Sequence, residues 1–250
     1  MITREETDGI AIVRFAHGKV SAMDLEFCRA LTNELSAVAA SGAKAIVLTG
    51  SGSVFSAGVD LFRVLDGGRD YLQVFLPAME SLFRTVLTLP QPVVAAVNGH
   101  AIAGGCIIAA ACDYRVMVEG SARIGIPELL VGVPFPSLPF EIVAARVSPA
   151  RLRQLVLSGR TVLASEAVDL GLVDDVAAAD ALMAGARETA AQMARIPAIA
   201  FTLTKRAFTD PILGRVAASR ALNDAALEAW ALADVQARIR AYVEQTVGKK

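Results

Sequence analysis

The stretch VNGHAIAGGCIIAAACDYRV, from Val97 to Val116, constrains the fold more than any other part of the chain. It reads as a strand, a sharp turn and a nearly all-apolar helix opened by Gly104 and Gly105. Asn98-Gly99 supplies the turn and tolerates positive φ. From Cys106 to Cys112 there is no charge and no strongly polar side chain, so the helix is a buried one. A helix that starts inside a protein leaves N–H groups without intrahelical partners, with the helix dipole behind them. Two readings follow. The helix start is a site for negative charge, or the two glycines simply let the helix pack closely on a sheet.

The rest of the chain narrows the class. Its 250 residues fit one large domain, or a domain with a small helical appendage, and 54% hydrophobic residues guarantee a sizeable core. Lys+Arg number 24 against 25 Asp+Glu, a net charge of -1, which argues against a nucleic-acid-coating surface and leaves room for a local basic patch. MITREETDG lacks the basic-then-apolar pattern of a secretory signal, and the apolar run Ile102 to Ala111 is too short to span a bilayer. A soluble protein of the cytoplasm is expected. Cys28, Cys106 and Cys112 form no CxxC pattern and read as buried thiols, and the two histidines, His17 and His100, belong to no metal-binding motif.

Along the chain, Ile10 to Phe15 reads as a strand and Leu25 to Ala40 as a helix capped by Asp24. Ala45 to Thr49 is the next strand, so this order implies a crossover and parallel pairing. VFSAGVDLFRV reads as a tight turn into a helix that Asp60 caps. A long helical pattern runs from Tyr71 to Leu89, closed by Pro90, and strands follow at Val93 to Val97 and Asp113 to Val118. Pro127, Pro134, Pro136 and Pro139 mark a shaped loop region instead of a regular helix. Helical character resumes from Phe140 to Ser158, and the alanine-rich second half carries a strand at Leu172 to Val176. No internal repeat is visible. Residues 1–180 are expected to form the core and 181–250 a helical C-terminal region that covers a lid position or a neighbouring subunit.

Two glycine-bearing loops, SAGVD and AIAGG, each follow a strand. Parallel strands ending side by side would bring both loops to one sheet edge. One backbone N–H from each could then aim at a single carbonyl oxygen, such as that of a thioester, forming an oxyanion hole of main chain. The dinucleotide pattern GxGxxG is not met by GSGSVFSAG, and GxxxxGK[ST] is absent.

FSAGVDL (Phe55 to Leu61), the Val97 to Val116 stretch, IGIPELLVGVP (Ile124 to Pro134) and SGRTVLASEAVDLGLVDDV (Ser158 to Val176) occur in one order and cover most of the chain between Ile10 and Val176. In these motifs the sequence resembles the enoyl-CoA hydratase/isomerase family, the crotonase superfamily. The resemblance implies an α/β fold, a spiral of β-β-α units with a helical C-terminal region that forms trimers, often paired into hexamers. It implies acyl-CoA thioester substrates, coenzyme A being part of the substrate, with no other cofactor, no metal, no nucleic acid and no membrane. By motif, the oxyanion donors would be the amides of Val59 and Gly104, and Ala57 would lie along the coenzyme A pocket. Asp60 and Lys205 are further candidates for that pocket. For Asp60 helix capping is the favoured alternative, and for Lys205, with Arg206, a solvated helix face is.

The carboxylates decide the reaction. Hydratases of the family use two glutamates, and here their places hold Ile107 and Glu128. Positioning a water and shuttling protons on one face of an alkene is work for two carboxylates, whereas one suffices to move a proton between two carbons. The pattern therefore resembles the monofunctional Δ3,Δ2-enoyl-CoA isomerases. Glu128 is expected to be the base, its pKa raised by Leu129, Leu130 and Phe135. Glu141 and Asp60 stand in reserve, His100 is assigned to the turn, and Ser56 and Ser137 have no histidine in an obvious triad arrangement. Hydratase, another crotonase-type hydrolase or lyase, and a non-catalytic acyl-CoA-binding protein remain as alternatives.

Overall fold

The computed structural model of the protein describes residues 1–246. Its first strands are β1 (Ile2–Thr7) and β2 (Ile10–Phe15), an antiparallel pair. β1 is polar and largely exposed, an edge strand without the apolar alternation by which sequence reveals strands. Helix α1 (Leu25–Ser41) follows, and the Asp24 carboxylate accepts from Phe27 N at 2.7 Å, the expected cap. It crosses over to β3 (Ala45–Thr49), parallel to β2 as its order implies.

Then a β-β-α unit recurs. The first is β4 (Val54–Ser56) and α2 (Leu61–Thr88) after β3. The second is β5 (Val93–Val97), β6 (His100–Ile102) and α3 (Gly104–Ala111). The third is β7 (Tyr114–Val118), β8 (Arg123–Gly125) and α4 (Glu128–Val131). The first strand of each unit joins one sheet and the second strand joins another. After α4 come α5 (Ser137–Ala144), α6 (Pro149–Ser158), β9 (Thr161–Leu163), α7 (Ala164–Leu170) and β10 (Asp175–Ala177). The sheets run β1-β2-β3-β5-β7-β10 and β4-β6-β8-β9. This is the spiral of β-β-α units. Its repeat leaves no period in the sequence because the three helices have 28, 8 and 4 residues.

The inner strands β3 and β5 of the larger sheet are continuous apolar runs because both faces are covered. Val13, Ile46, Leu48, Ala95 and Val97 face the main core, against α1, α2 and α3. Ile12, Val47, Val94 and Ala96 face the other way, under Leu182, Ala186 and Ala190 of α8 (Leu182–Met193). Three further helices complete the chain: α9 (Ala198–Ala218), α10 (Arg220–Ala229) and α11 (Ala233–Thr246). Among the described residues no helix is long and apolar enough to cross a membrane.

Several expectations are corrected. The proline-dense region is not all loop: it holds α4 and the start of α5. Pro127 and Pro136 sit at N-caps and Pro139 in the first turn, where a missing N–H breaks no helical bond. The C-terminal strand lies at β10, not Leu172 to Val176, because Gly171 caps α7 in the left-handed conformation and Leu172 and Val173 bury as a connection. Gly99 does not adopt positive φ. It is required by close approach, since a methyl group built on it would lie 1.9 Å from Ser53 O. Asn98 holds that turn, accepting from Gly50 N at 2.8 Å and donating to Gly52 O at 2.9 Å.

Candidate active site

The two glycine-bearing loops leave the smaller sheet, not the larger one. SAGVD follows β4 and AIAGG follows β6, and these strands pair in parallel. The short second strand of each unit, invisible in the sequence, is what delivers the loops to one edge. There they touch: a methyl group built on Gly58, at φ 81°, would sit 2.8 Å from Ala103 Cβ and 3.1 Å from Gly104 N. Gly105 packs as closely on the end of β4, where a methyl group would lie 2.4 Å from Ser56 O. The close-packing reading of the glycines therefore holds together with the open helix start.

Val59 and Gly104 both line the cavity between these loops. Met23 bonds to the residues on either side of Val59, donating to Gly58 O at 2.7 Å and accepting from Asp60 N at 2.9 Å. In extended chain the intervening N–H points the opposite way, so the Val59 amide faces away from Met23. Gly104 is the first residue of α3, and Ala103 before it takes φ 51°, ψ -122°, a conformation rare outside glycine. That strained residue turns the chain so that α3 begins at the cavity. Neither Val59 N nor Gly104 N donates to another group among the described residues.

Glu128 opens α4 and lines the same cavity, with Ala57, Met79, Phe83, Ile107 and Val131 among its neighbours in the wall. It is 9% exposed, and its Oε2 has no hydrogen-bond partner. Burial pushes its carboxyl up to about 8, against a small opposing pull from its own backbone amide. The apolar surroundings differ from those expected. Leu129 and Leu130 point outward, 41% and 44% exposed, because α4 is one turn of helix and only Glu128 and Val131 share its inner face. Ile107, 1% exposed, stands in the wall where a second carboxylate would.

The tail supplies two wall residues that sequence spacing did not indicate. Trp230 and Tyr242 complete the cavity from α10 and α11. Trp230 Nε1 donates to Pro134 O at 3.3 Å, and Arg238 donates to Leu130 O at 2.8 Å, tying the tail to the segment that carries Glu128. Burial and the neighbouring Glu128 charge raise the Tyr242 hydroxyl. An amphipathic pattern in α11 would have marked it as packed, but not where.

Other candidates fall elsewhere. Asp60 caps α2, accepting from Phe62 N at 3.0 Å and Arg63 N at 3.1 Å, and is absent from the cavity wall. Lys205 is neither in the cavity nor on a solvated face: it is 7% exposed and its Nζ binds Asp113 Oδ2 at 2.7 Å. Arg206 is exposed and pairs with Asp210 along its own helix. Glu141 binds Arg215. His17 pairs with Asp24 at 2.7 Å and His100 accepts from Arg123 N at 3.2 Å, so neither meets Ser56 or Ser137. The three thiols are buried, which pushes each well above the usual range, and they are inert. Among the described residues no group of His, Cys, Asp and Glu has the makings of a metal site.

Glu128, with its unpaired Oε2, and the Val59 and Gly104 amides thus line one cavity where β4 and β6 end, in a spiral of β-β-α units. The family model described as enoyl-CoA hydratase/isomerase matches residues 5–248, and the chain belongs to that family. It is 40% identical over 167 residues to a putative enoyl-CoA hydratase of Thermus thermophilus, a match spanning 66% of this chain and 65% of that protein, just under two thirds of its length. It is 27% identical over 208 residues to the mitochondrial enoyl-CoA delta isomerase 1 of Rattus norvegicus, spanning 82% and 72%. The fold superposes on human mitochondrial delta3-delta2-enoyl-CoA isomerase with a TM-score of 0.95 over 100% of this chain and 99% of that one, at 24% identity.

Proposed function

We propose that the protein is an acyl-CoA-processing enzyme that isomerises 3-enoyl-CoA to 2-enoyl-CoA, with Glu128 as its one base. The thioester oxygen would sit between Val59 N and Gly104 N, with coenzyme A along Ala57. Ionised Glu128 removes a proton from C2, the C2–C3 double bond forms as the C3–C4 electrons shift, and the same carboxyl returns the proton to C4. The two amides carry the enolate charge between these steps, in a cavity that excludes most water. The observation that supports this reading is the Glu128 carboxyl, its Oε2 unpaired, in a wall that holds Ile107 and, among the described residues, no second carboxylate. The raised carboxyl brings its basicity closer to that of an activated carbon acid. Assembly as a homotrimer, or as a hexamer of two trimers, belongs to the same proposal.

The name of the Thermus relative favours hydration as the second reading. Parallel assays separate the two. With a 3-enoyl-CoA the proposal expects conjugated thioester to form far above solvent background, and with crotonyl-CoA it expects slow water addition. The reverse preference assigns a hydratase. Tight acyl-CoA binding with neither reaction assigns a binding protein.

A further inference from the structure

The cavity around Glu128 is small, about 90 Å³, and its far wall is one residue thick. Behind that wall lies an apolar groove of about 430 Å³ between α5 and α10. The two spaces share Phe135, which lines both. On either side of it the chain alternates: Pro136 faces the cavity and Ser137 the groove, while on the tail Trp230 faces the cavity and Ala229 the groove. Trp230 is held by Pro134 O, and its own carbonyl accepts from Gln236 at 2.8 Å. Phe135 is half-buried, packed on the edge of the core with the edge of Phe140 against it, ring centroids 6.5 Å apart, and no hydrogen bond of its own side chain holds it. The groove's floor is alanine, at Ala225, Ala226 and Ala229, and its rim is apolar and exposed, with Phe140 37% and Leu222 71% accessible.

We infer that Phe135 is the residue that sets acyl-chain length: its ring partitions the reaction cavity from the α5/α10 groove, which takes the far end of a long acyl chain when the ring is removed or swung aside. The inference rests on the acyl-CoA reading of the site. A terminal methyl group that reaches the partition meets Phe135, the residue shared with the groove, beside a Trp230 held by its hydrogen bonds. The alanine floor leaves the groove room for a narrow polymethylene chain, and nothing polar but the rim side chains of Ser137, Glu141 and Ser219 interrupts it.

The test is direct binding of saturated acyl-CoAs of short and long chain, by calorimetry, with 3-enoyl-CoA turnover on the same chain lengths. Each methylene transferred from water to an apolar groove tightens binding roughly fourfold. Phe135→Ala is therefore expected to raise the long-to-short preference about tenfold or more, in affinity and in kcat/KM. Phe135→Leu, which keeps a smaller wall, should fall between. Adding Ala229→Phe to Phe135→Ala refills the groove and should abolish the gain. If acyl-CoAs bind but Phe135→Ala and Phe135→Leu leave the preference unchanged, the partition is overturned and the site reading stands. If Ala229→Phe alone changes the oligomeric mass and leaves chain preference untouched, the groove belongs to a second copy of the chain and the inference fails. If the wild-type protein binds no acyl-CoA of any length, both readings fall together.

Discussion

Glu128 and Asp113 are two carboxyl groups at different places in the spiral, the first buried and the second half-buried, and they are treated in opposite ways. Asp113 Oδ2 receives Lys205 Nζ at 2.7 Å and Val93 N at 2.8 Å. Its charge is fully answered, and it ties α9 to the end of α3 and the start of β5. Glu128 Oε2 receives nothing, and its carboxyl rises to about 8. Both are withdrawn from water to some degree, Glu128 the more so, and what separates them most is the partner. A counter-charge turns a buried carboxylate into scaffold, and its absence leaves a proton that can move.

Exchanging the two treatments should break the contrast. The largest effect expected is on turnover: Glu128→Gln keeps the side-chain shape and removes the base, so isomerisation falls by roughly 10²–10⁴-fold while acyl-CoA affinity stays near wild type. Asp113→Asn should leave turnover close to wild type, and an equal loss in the two variants would erase the distinction. Next in size is a stability effect at the paired site. Lys205→Met strands the half-buried Asp113 carboxylate and should cost less in urea unfolding than the about 3–5 kcal/mol of a fully buried pair, because water and Val93 N still reach it. The double variant with Asp113→Asn should recover much of it.

The third effect is a pH dependence. The Glu128 carboxyl is raised from 4.5 to about 8, so the folded protein holds a proton that the unfolded chain has released. Its contribution is fully present below about pH 4.5 and is lost as pH rises through 8. Across pH 6 to 8 the wild type should lose about 2 kcal/mol relative to Glu128→Gln, and parallel stability curves would show that Glu128 is paired or hydrated. The smallest effect separates the two roles considered for Asp60. Asp60→Ala removes a cap and should cost about 1 kcal/mol with acyl-CoA affinity unchanged; weakened binding at constant stability would place it on the ligand.

The part of this contrast legible in sequence is the part written in local pattern. β2, β3, β5 and α1 follow from apolar runs and an N-cap, and Glu128, Ile107, Val59 and Gly104 from motifs whose positions the structure gathers around one cavity. What local pattern does not record was missed. The strands β4, β6 and β8 have three residues each, too few for any periodicity, yet the segments that line the cavity follow them. The pairing of Lys205 with Asp113 spans 92 residues, so the lysine looked like a free cation. Tyr242 and Trp230 share a cavity with Glu128 because α11 folds back over α4 and α10 over α5, contacts decided by packing and not by spacing.

In the proposed isomerisation one enclosed carboxyl carries the same proton from C2 to C4. A single-turnover experiment with a 3-enoyl-CoA deuterated at C2, run in ordinary water, tests it most directly. The account predicts conjugated product with a measurable share of the deuterium at C4, because Glu128 is buried and exchanges with solvent more slowly than it returns its proton. Complete replacement of the label by solvent hydrogen at full turnover, or a hydrated product, would contradict it.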